Sequence, residues 1–528
     1  CTQKEPLNPG VTIKIQNNYI LRRHTKITLS HFATSCRQFE NQRRSLFKFN
    51  IVFYHGASGM DCKTTTTCKR HCLTSHQEKT TGKPPVFRFL LLHLQDNRQI
   101  KRNITFTLNE LKLQPIMNKR LIISVMAACA IAPALSQTTF GITVTNRHDK
   151  AKTNTPIVLN LDEYGIDVKS ALVTADGKET ALPALTTWTK TDAWTSCASS
   201  QTLEADESRK FEITLYETGR PKKYEPQVYV EMLLSNKKIK KNNKQNLYIS
   251  ELTVDNGTNP YWQLHHHGAA FENDMVAYRI YFDHRQTVDI YGKYKRQLEL
   301  KETQFYPDDR QKAAQYGDDV LWVGSTLGLG TLRGWDGHKP TMLNDVEKRS
   351  QKIIARGPIR TIVEVKDKGW TPQAEAPGAT PIDMTALYTL YAGRRECSVD
   401  VKFDKQAEDL MLSTGFINVK NSTEFSDKRG LRGCWGTDWP VSAKDSVGHK
   451  RETVGLGICI PEKHIVSEEH ADKDNYAFVV KPTNNELHYK ITFCSDNETF
   501  GYHSDKEWYD FLKEWKEDLA NPVIIKKE

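Results

Sequence analysis

Three consecutive histidines are the residues of this sequence best suited to carry chemistry. His265, His266 and His267 lie among aromatic residues, and Glu272 and Asp274 follow shortly after them. On a β-strand, the first and third histidines would point to one face and the second to the other. Two imidazoles on one face could bind a divalent metal together with one of these carboxylates, or one of them could transfer protons near neutral pH. The alternative is that two histidines pack against the neighbouring rings and one is functional.

A second set of candidates consists of aromatic residues beside aspartates in glycine-rich segments. Tryptophan and tyrosine rings stack on the C–H faces of sugars, while carboxylates accept hydrogen bonds from sugar hydroxyls. A single pair of this kind is weak evidence for sugar binding, because a tryptophan in a β-protein more often belongs to the core. Several pairs together favour a carbohydrate-binding cleft. The residues predicted to bind substrate are His265, Glu272, Asp318, Trp335, Asp336, Trp435, Asp438 and Trp439.

Arg394 and Tyr306 complete the candidates. Arg394 follows a Tyr-Ala-Gly sequence and could hold a carboxylate through two parallel hydrogen bonds, although a turn-capping or salt-bridged arginine is the simpler interpretation. The glycine-rich stretch 328–334 resembles a phosphate-binding loop, but no amphipathic helix follows it. Nucleotide binding is therefore not predicted.

The positive net charge of the chain comes from its first part. The 528 residues carry a formal net charge of +10 at pH 7, yet basic residues outnumber acidic ones mainly in residues 1–116, and acidic residues predominate after residue 136. Nucleic-acid binding through phosphate neutralisation is therefore not expected. Residues 1–116 show no sustained strand or helix periodicity and are predicted to be an upstream or disordered extension.

Residues 117–136 have the pattern of a signal peptide. A short cationic start is followed by an apolar run and then by small residues at the predicted cleavage site. The apolar run is too short for a permanent membrane anchor, so the mature chain is expected to contain no integral membrane segment. We expect secretion to the periplasm, and a lipoprotein attached through Cys129 is the less favoured alternative.

The rest of the sequence predicts an all-β protein. Residues 137–250 contain short alternating strands separated by turn residues, which is typical of a small β-sandwich. Residues 251–503 contain many further strands without helical periodicity, which favours a large antiparallel β-sandwich. In residues 504–528, a serine N-cap and apolar residues on one face predict one C-terminal helix and a tail.

Taken together, these motifs resemble the domain of unknown function 4861 family of glycan-degrading bacteria. The resemblance covers most of residues 138–528. The matching stretches are His265–Glu272, Val276–Asp283, Gly317–Gly324, Gly334–Gly337, Tyr388–Arg394 and Trp435–Pro440. It implies a galactose-mutarotase-like supersandwich fold and, for members to which an activity has been assigned, dehydration of an oligosaccharide at a terminal uronic acid.

The implied reaction assigns hypothetical roles to the candidates. Removing water across C4 and C5 of a uronate needs a base, an acid and a group that neutralises the carboxylate. We assign the base or acid to His266 or His267, the partner role to Tyr306 and the carboxylate clamp to Arg394. The expected partner is an oligosaccharide, and no cofactor is expected apart from the divalent metal considered above. A non-catalytic sugar-binding protein, a polysaccharide lyase and a mutarotase-like enzyme remain as alternatives.

Overall fold

The computed structural model describes seven segments of the chain. They are residues 12–14, 137–179, 184–185, 196–220, 223–235, 246–372 and 380–528. Contacts divide the chain into two compact units, residues 1–18 with 133–528 and residues 19–132, and every described residue belongs to the first. The predicted signal peptide, and the predicted extension apart from residues 12–14, lie outside the described residues.

The largest element is an antiparallel sheet of ten strands. Their inward side chains alternate with exposed ones, as in Lys348–Arg356, where every second residue is buried. In spatial order the strands are β1 (Thr12–Lys14), β12 (Glu251–Asp255), β19 (Lys348–Arg356), β20 (Arg360–Trp370), β21 (Ile382–Tyr391), β22 (Cys397–Phe403), β29 (Glu486–Ser495), β26 (Glu452–Cys459), β25 (Leu431–Asp438) and β24 (Thr423–Ser426).

Two five-stranded sheets pack against this large sheet. The first contains β9 (Val228–Glu231), β13 (Gly268–Asn273), β14 (Ala277–Tyr281), β15 (Val288–Gly292) and β16 (Asp318–Asp319). The second contains β18 (Pro340–Thr341), β17 (Arg333–Trp335), β23 (Leu412–Ile417), β28 (Asn475–Val480) and β27 (Ile465–Glu468). Bridges from Gly328 to Val288 and from Leu329 to Phe416 connect the two sheets. Side chains of all three sheets share one hydrophobic cluster, so the large antiparallel sandwich predicted from the sequence is confirmed.

A smaller sandwich precedes the large one in sequence. One sheet contains β30 (Ile524–Lys527), β2 (Gln137–Thr145), β8 (Ser208–Tyr216), β4 (Ser170–Ala175) and β5 (Lys178–Glu179), and the other contains β3 (Lys152–Asn160), β7 (Ser196–Leu203) and β6 (Ala184–Leu185). A separate apolar core lies between them. The small β-domain of the sequence prediction is therefore present.

Two strands cross the boundaries drawn from the sequence. β9 lies before residue 250 but pairs with β13 of the large sandwich, and the C-terminal β30 pairs with β2 of the small one. A short ladder of β10 (Leu233–Leu234) and β11 (Leu247–Tyr248) follows β9. Each sandwich thus contains a strand from outside its predicted range: β9 belongs to the large sandwich and β30 to the small one.

The predicted C-terminal helix is α3 (Asp505–Ala520). The hydroxyl of Ser504 accepts a hydrogen bond from the Glu507 amide at its N-terminus, and Trp508, Leu512 and Trp515 are buried against β25 and β26. Two short helices, α1 (Leu300–Thr303) and α2 (Asp309–Ala313), were not predicted. No helix among the described residues is long and apolar enough to cross a membrane.

Candidate active site

A row of polar residues crosses the outer face of the first five-stranded sheet. Arg279 of β14 lies opposite Asp289 of β15 and Ala270 of β13, and Ala270 lies opposite Glu231 of β9. The neighbours of this row along each strand face the hydrophobic core, so the row itself faces outward. Residues 293–317, which contain α1 and α2, cover this face and bury the charged groups.

Arg279 connects this row to Tyr306. Its guanidinium donates to Asp289 Oδ2 at 2.6 and 2.9 Å, to Asp319 Oδ2 at 2.9 Å and to the Tyr306 hydroxyl at 3.0 Å. The ring of Phe305 lies below it, 4.1 Å from the guanidinium carbon. Because the tyrosine oxygen accepts from the arginine, its own proton is free to point at another acceptor.

The three histidines lie in a turn and not on a strand. His265 and His266 belong to the turn that precedes β13, and His267 has a positive φ of 70°. The alternation expected for a strand is therefore wrong at this motif. Since the backbone reverses here, each of the three imidazoles meets a different neighbour.

His265 faces Tyr306, with the ring centroids 5.5 Å apart and the planes at 84°. His266 is fully buried, and its Nε2 lies 3.2 Å from Oε1 of the equally buried Glu231. His267 stacks on Tyr261 at 3.8 Å, and its Nδ1 lies 2.9 Å from the Tyr261 carbonyl oxygen. His265 is therefore the histidine whose ring packs against the ring of Tyr306, whereas His266 is enclosed and supports the turn.

Burial sets the protonation states of this site. It lowers the pKa of His265 and of His267 to about 4, and the neighbouring imidazoles add to the effect at His265. Nε2 of His265 is buried and has no hydrogen-bond partner among the described residues. Burial also raises the pKa of Tyr306, so its hydroxyl stays protonated at neutral pH. Burial and the charge of Asp289 hold the pKa of Asp319 well above its usual range.

Aromatic side chains mark where the site reaches the surface. Trp262 is 70% exposed and Tyr306 38% exposed, although the groups behind them are buried. The indole of Trp262 lies edge-on to His267 at 5.4 Å. A flat ligand with C–H faces could therefore contact these rings and still reach the polar row.

Two of the predicted site residues form ion pairs within the protein. Glu272, predicted to bind substrate, is fully buried and forms an ion pair of 2.5 Å with Lys293. Arg394, predicted to clamp a carboxylate, pairs with Glu396 at 2.7 Å and with Asp518 at 2.9 Å. The main chain of Arg394 accepts a hydrogen bond from Asn273, at the end of β13 away from the histidines. The carboxylate and the guanidinium are thus engaged in ion pairs within the protein, and neither lies at the polar row.

The tryptophan–aspartate pairs are spread over the molecule. Trp335 and Asp336 lie at the hairpin of β17 and β18, where the Asp336 carboxylate accepts from two backbone amides of its own turn. Trp435 packs against the cluster beneath α3. Asp318 pairs with Lys312 at 2.5 Å, next to the polar row.

Asp438 and Trp439 line a separate open pocket together with Trp322. The structure thus brings His265 and Tyr306 together, places Asp318 next to Asp319 of the polar row, and locates Trp335, Asp336 and Trp435 on other elements.

The predicted metal ligands do not form a suitable donor set. His267 already contacts the Tyr261 carbonyl, Glu272 is held by Lys293, and Asp274 pairs with Arg296 at 2.6 Å. Arg279 adds a fixed positive charge nearby. Both carboxylates of the hypothetical site are thus held by cations, which leaves His265 without a carboxylate partner for a metal, and no step of the chemistry is routed through one.

Arg279, Asp289, Asp319 and Glu231 were not among the predicted site residues. A signal for the first two was present, since the sequence predicts a hairpin with its turn at Asp283–Gln286. Equal distances from such a turn would place Arg279 opposite Ile290, whereas the observed register is shifted by one residue and pairs Arg279 with Asp289. Nothing comparable in the sequence connects Glu231 to His266, because a long segment separates them.

Comparison with known families gives one match. The model of the family described as "Domain of unknown function (DUF4861)" matches residues 144–525. No curated protein matches this chain.

Solved structures provide distant fold similarities. An alpha-mannosidase from Enterococcus faecalis V583 is 10% identical with a TM-score of 0.39, and the match covers 74% of this chain and 46% of that one. A protein in the glycosyl hydrolase family 38 from Enterococcus faecalis is 9% identical with the same TM-score, covering 74% and 47%. This chain therefore spans less than half the length of either structure.

Proposed function

This chain belongs to the family described as "Domain of unknown function (DUF4861)", and on that premise we propose that it is a carbohydrate-active enzyme acting on uronic-acid-terminated oligosaccharides. The reaction is the elimination of water across C4 and C5 of the terminal uronate. The observation that supports it is a neutral imidazole with an unpartnered Nε2 that packs against the ring of Tyr306, whose protonated hydroxyl is held by a buried arginine.

In this proposal His265 is the base and Tyr306 the acid. Nε2 of His265 takes the proton from C5, and the electrons of the C5–H bond form the double bond between C4 and C5. The C4–O bond breaks, the leaving oxygen takes the phenolic proton of Tyr306, and water departs. The proton on His265 then returns to the Tyr306 phenolate, which restores both groups. Arg279 stabilises the transient phenolate through its existing hydrogen bond.

Asp319 is proposed to assist at the substrate carboxylate. The C5 proton becomes removable only when the negative charge of the uronate is reduced by a hydrogen-bond donor. Asp319 keeps a proton more readily than an ordinary aspartate because it is buried near Asp289, and its side chain is still 20% exposed. Protonated Asp319 can therefore donate to the carboxylate, a role that the sequence prediction gave to Arg394.

Turnover of uronate-terminated oligosaccharides tests the proposal. Purified protein is expected to generate the ultraviolet absorbance of a conjugated double bond, and mass spectrometry should show products that have lost one water and no sugar. A polysaccharide lyase would release a shorter saccharide, and a binding protein would raise the melting temperature of the protein without new absorbance. His265→Ala is expected to lose turnover, and full turnover in this variant would refute the assignment of the base.

A further inference from the structure

An open pocket lies between the segment that follows β16, the end of β23 and the loop after β25. Its volume is about 320 Å³. The residues that characterise it are Trp322, Trp439, Asp438 and Lys420. The Trp322 amide donates to the Trp439 carbonyl at 3.0 Å, so the two tryptophan backbones are held together across the pocket.

The side chains of this pocket suit a sugar ring. Trp322 is 47% exposed, which is unusual for so large an apolar side chain. The indole nitrogen of Trp322 lies close to Gly324. A Cβ atom added to this glycine would be 3.3 Å from that nitrogen. Asp438 and Lys420 lie 4.0 Å apart, with 16% and 64% of their side chains exposed. An exposed ring face with one acceptor and one donor nearby is the combination that binds a pyranose.

One lining residue of the pocket, Trp322, is close in sequence to the candidate active site. Asp319, which contacts Arg279, precedes Trp322 by three residues. Three extended residues span at most roughly 10–11 Å. An oligosaccharide whose terminal uronate contacts Tyr306 could therefore place a following sugar residue over the Trp322 ring.

We propose that this pocket is a subsite for the sugar residue next to the reacting uronate, so that the preferred substrates are oligosaccharides longer than the terminal residue alone. The inference rests on the proposed function for the identity of the reacting residue. Trp322 provides the stacking face of this subsite, and Asp438 and Lys420 contact the hydroxyls.

Substrate length tests this subsite. The probes are oligogalacturonides and glucuronate-terminated oligosaccharides, each as a disaccharide and a tetrasaccharide, with free galacturonate and glucuronate as references. We expect Trp322→Ala to lower kcat/KM for the tetrasaccharides roughly three- to tenfold relative to the free uronic acids, as the loss of one aromatic stacking contact predicts. Trp322→Phe keeps a ring face and should recover most of the loss.

Calorimetric titration separates the subsite from the reaction. If none of the probes yields a double bond, the proposed function fails, but tighter binding of longer probes that is lost in Trp322→Ala still supports the subsite. Binding or turnover that is independent of probe length in the unchanged protein overturns the subsite. The same conclusion follows if Trp322→Ala weakens all probes equally, even where elimination is observed.

Discussion

Tyr306 receives its hydrogen bond from a residue that is itself fixed by two carboxylates. Arg279 cannot turn away, because Asp289 and Asp319 hold its other nitrogens. The phenol is thus oriented before any ligand arrives, which is what a general acid requires.

Tyr306→Phe removes the acid and preserves the ring. We expect kcat to fall by roughly 100- to 10,000-fold, the usual contribution of a general acid or base. The rate is measured from the absorbance of the double bond, and the melting temperature should change little because the residue is partly exposed. Tyr316→Phe is the matched control, since this tyrosine lies on the same covering segment and bonds only to Glu302. Equal losses in both variants would contradict the assignment.

The pH dependence should reveal the neutral histidines. Since burial lowers the pKa of His265 and His267 to about 4, the acid limb of kcat/KM should fall near pH 4 and not near the ordinary histidine value of about 6.5. The same shift affects stability. The unfolded chain takes up protons below about pH 6.5 while the folded histidines stay neutral, so the stabilisation is complete above that pH and is lost towards about pH 4. An acid limb near 6.5 that persists in His267→Gln would contradict a depressed pKa at His265.

At the scale of elements, one buried ion pair anchors the segment that covers the site. Lys293 donates to Glu272 and to the carbonyls of Asn273 and Gln297, and Glu272 accepts from the amides of Glu299 and Leu300 at the start of α1. Burial raises the pKa of Glu272, while these donors favour its charged form. The position of Phe305 and Tyr306 after α1 thus depends on this pair.

Lys293→Met should therefore destabilise the protein strongly. It leaves the Glu272 carboxylate buried without its cation, which typically costs about 3–5 kcal/mol. Urea unfolding measures the loss, and adding Glu272→Gln to the first change should recover part of it. Lys295→Met alters an exposed lysine of the same segment and should shift stability by less than about 0.5 kcal/mol. Similar values for both lysines would show that the pair does not anchor the segment.

Some secondary-structure elements could be predicted from the sequence, and others could not. Local alternation of buried and exposed residues predicts the strands of the sandwich, and the Ser504 cap predicts α3. Each of these signals lies within the segment that it predicts. α1 is too short for a periodic pattern, and it is held by Glu272 from a different strand. The turn of His265 likewise results from the packing of Glu231 against His266, a contact between distant segments that local patterns do not contain.

At the scale of the whole molecule, the C-terminal residues tie the two sandwiches together. α3 packs on the ten-stranded sheet, β30 completes a sheet of the small sandwich, and Asp518 in the last turn of α3 contacts both Lys152 of β3 and Arg394. Such an arrangement couples the stability of the small sandwich to the end of the chain.

The contacts of Arg394 indicate a structural role in connecting the sandwiches, whereas the sequence suggested a catalytic role. Its guanidinium bonds to Glu396, to Asp518 and to the Thr153 carbonyl of the small sandwich, and its side chain is only 15% exposed. Arg394→Ala should therefore reduce the free energy of unfolding by about 1.5–3 kcal/mol, the range for hydrogen bonds to charged groups. It should leave kcat/KM for elimination within about twofold, because a residue that does not reach the polar row contributes nothing to the transition state.

Arg296→Ala provides the comparison for Arg394, since Arg296 is half-exposed and its single pair with Asp274 should contribute about 0–1 kcal/mol. Unfolding in urea and initial rates on the same preparations separate the two roles of Arg394. A large loss of kcat/KM with unchanged stability would restore it as the carboxylate clamp and would require the end of β13 far from His265 to be the reacting centre. The predicted pattern is the opposite, because the charge of Arg394 is already balanced by the carboxylates of Glu396 and Asp518.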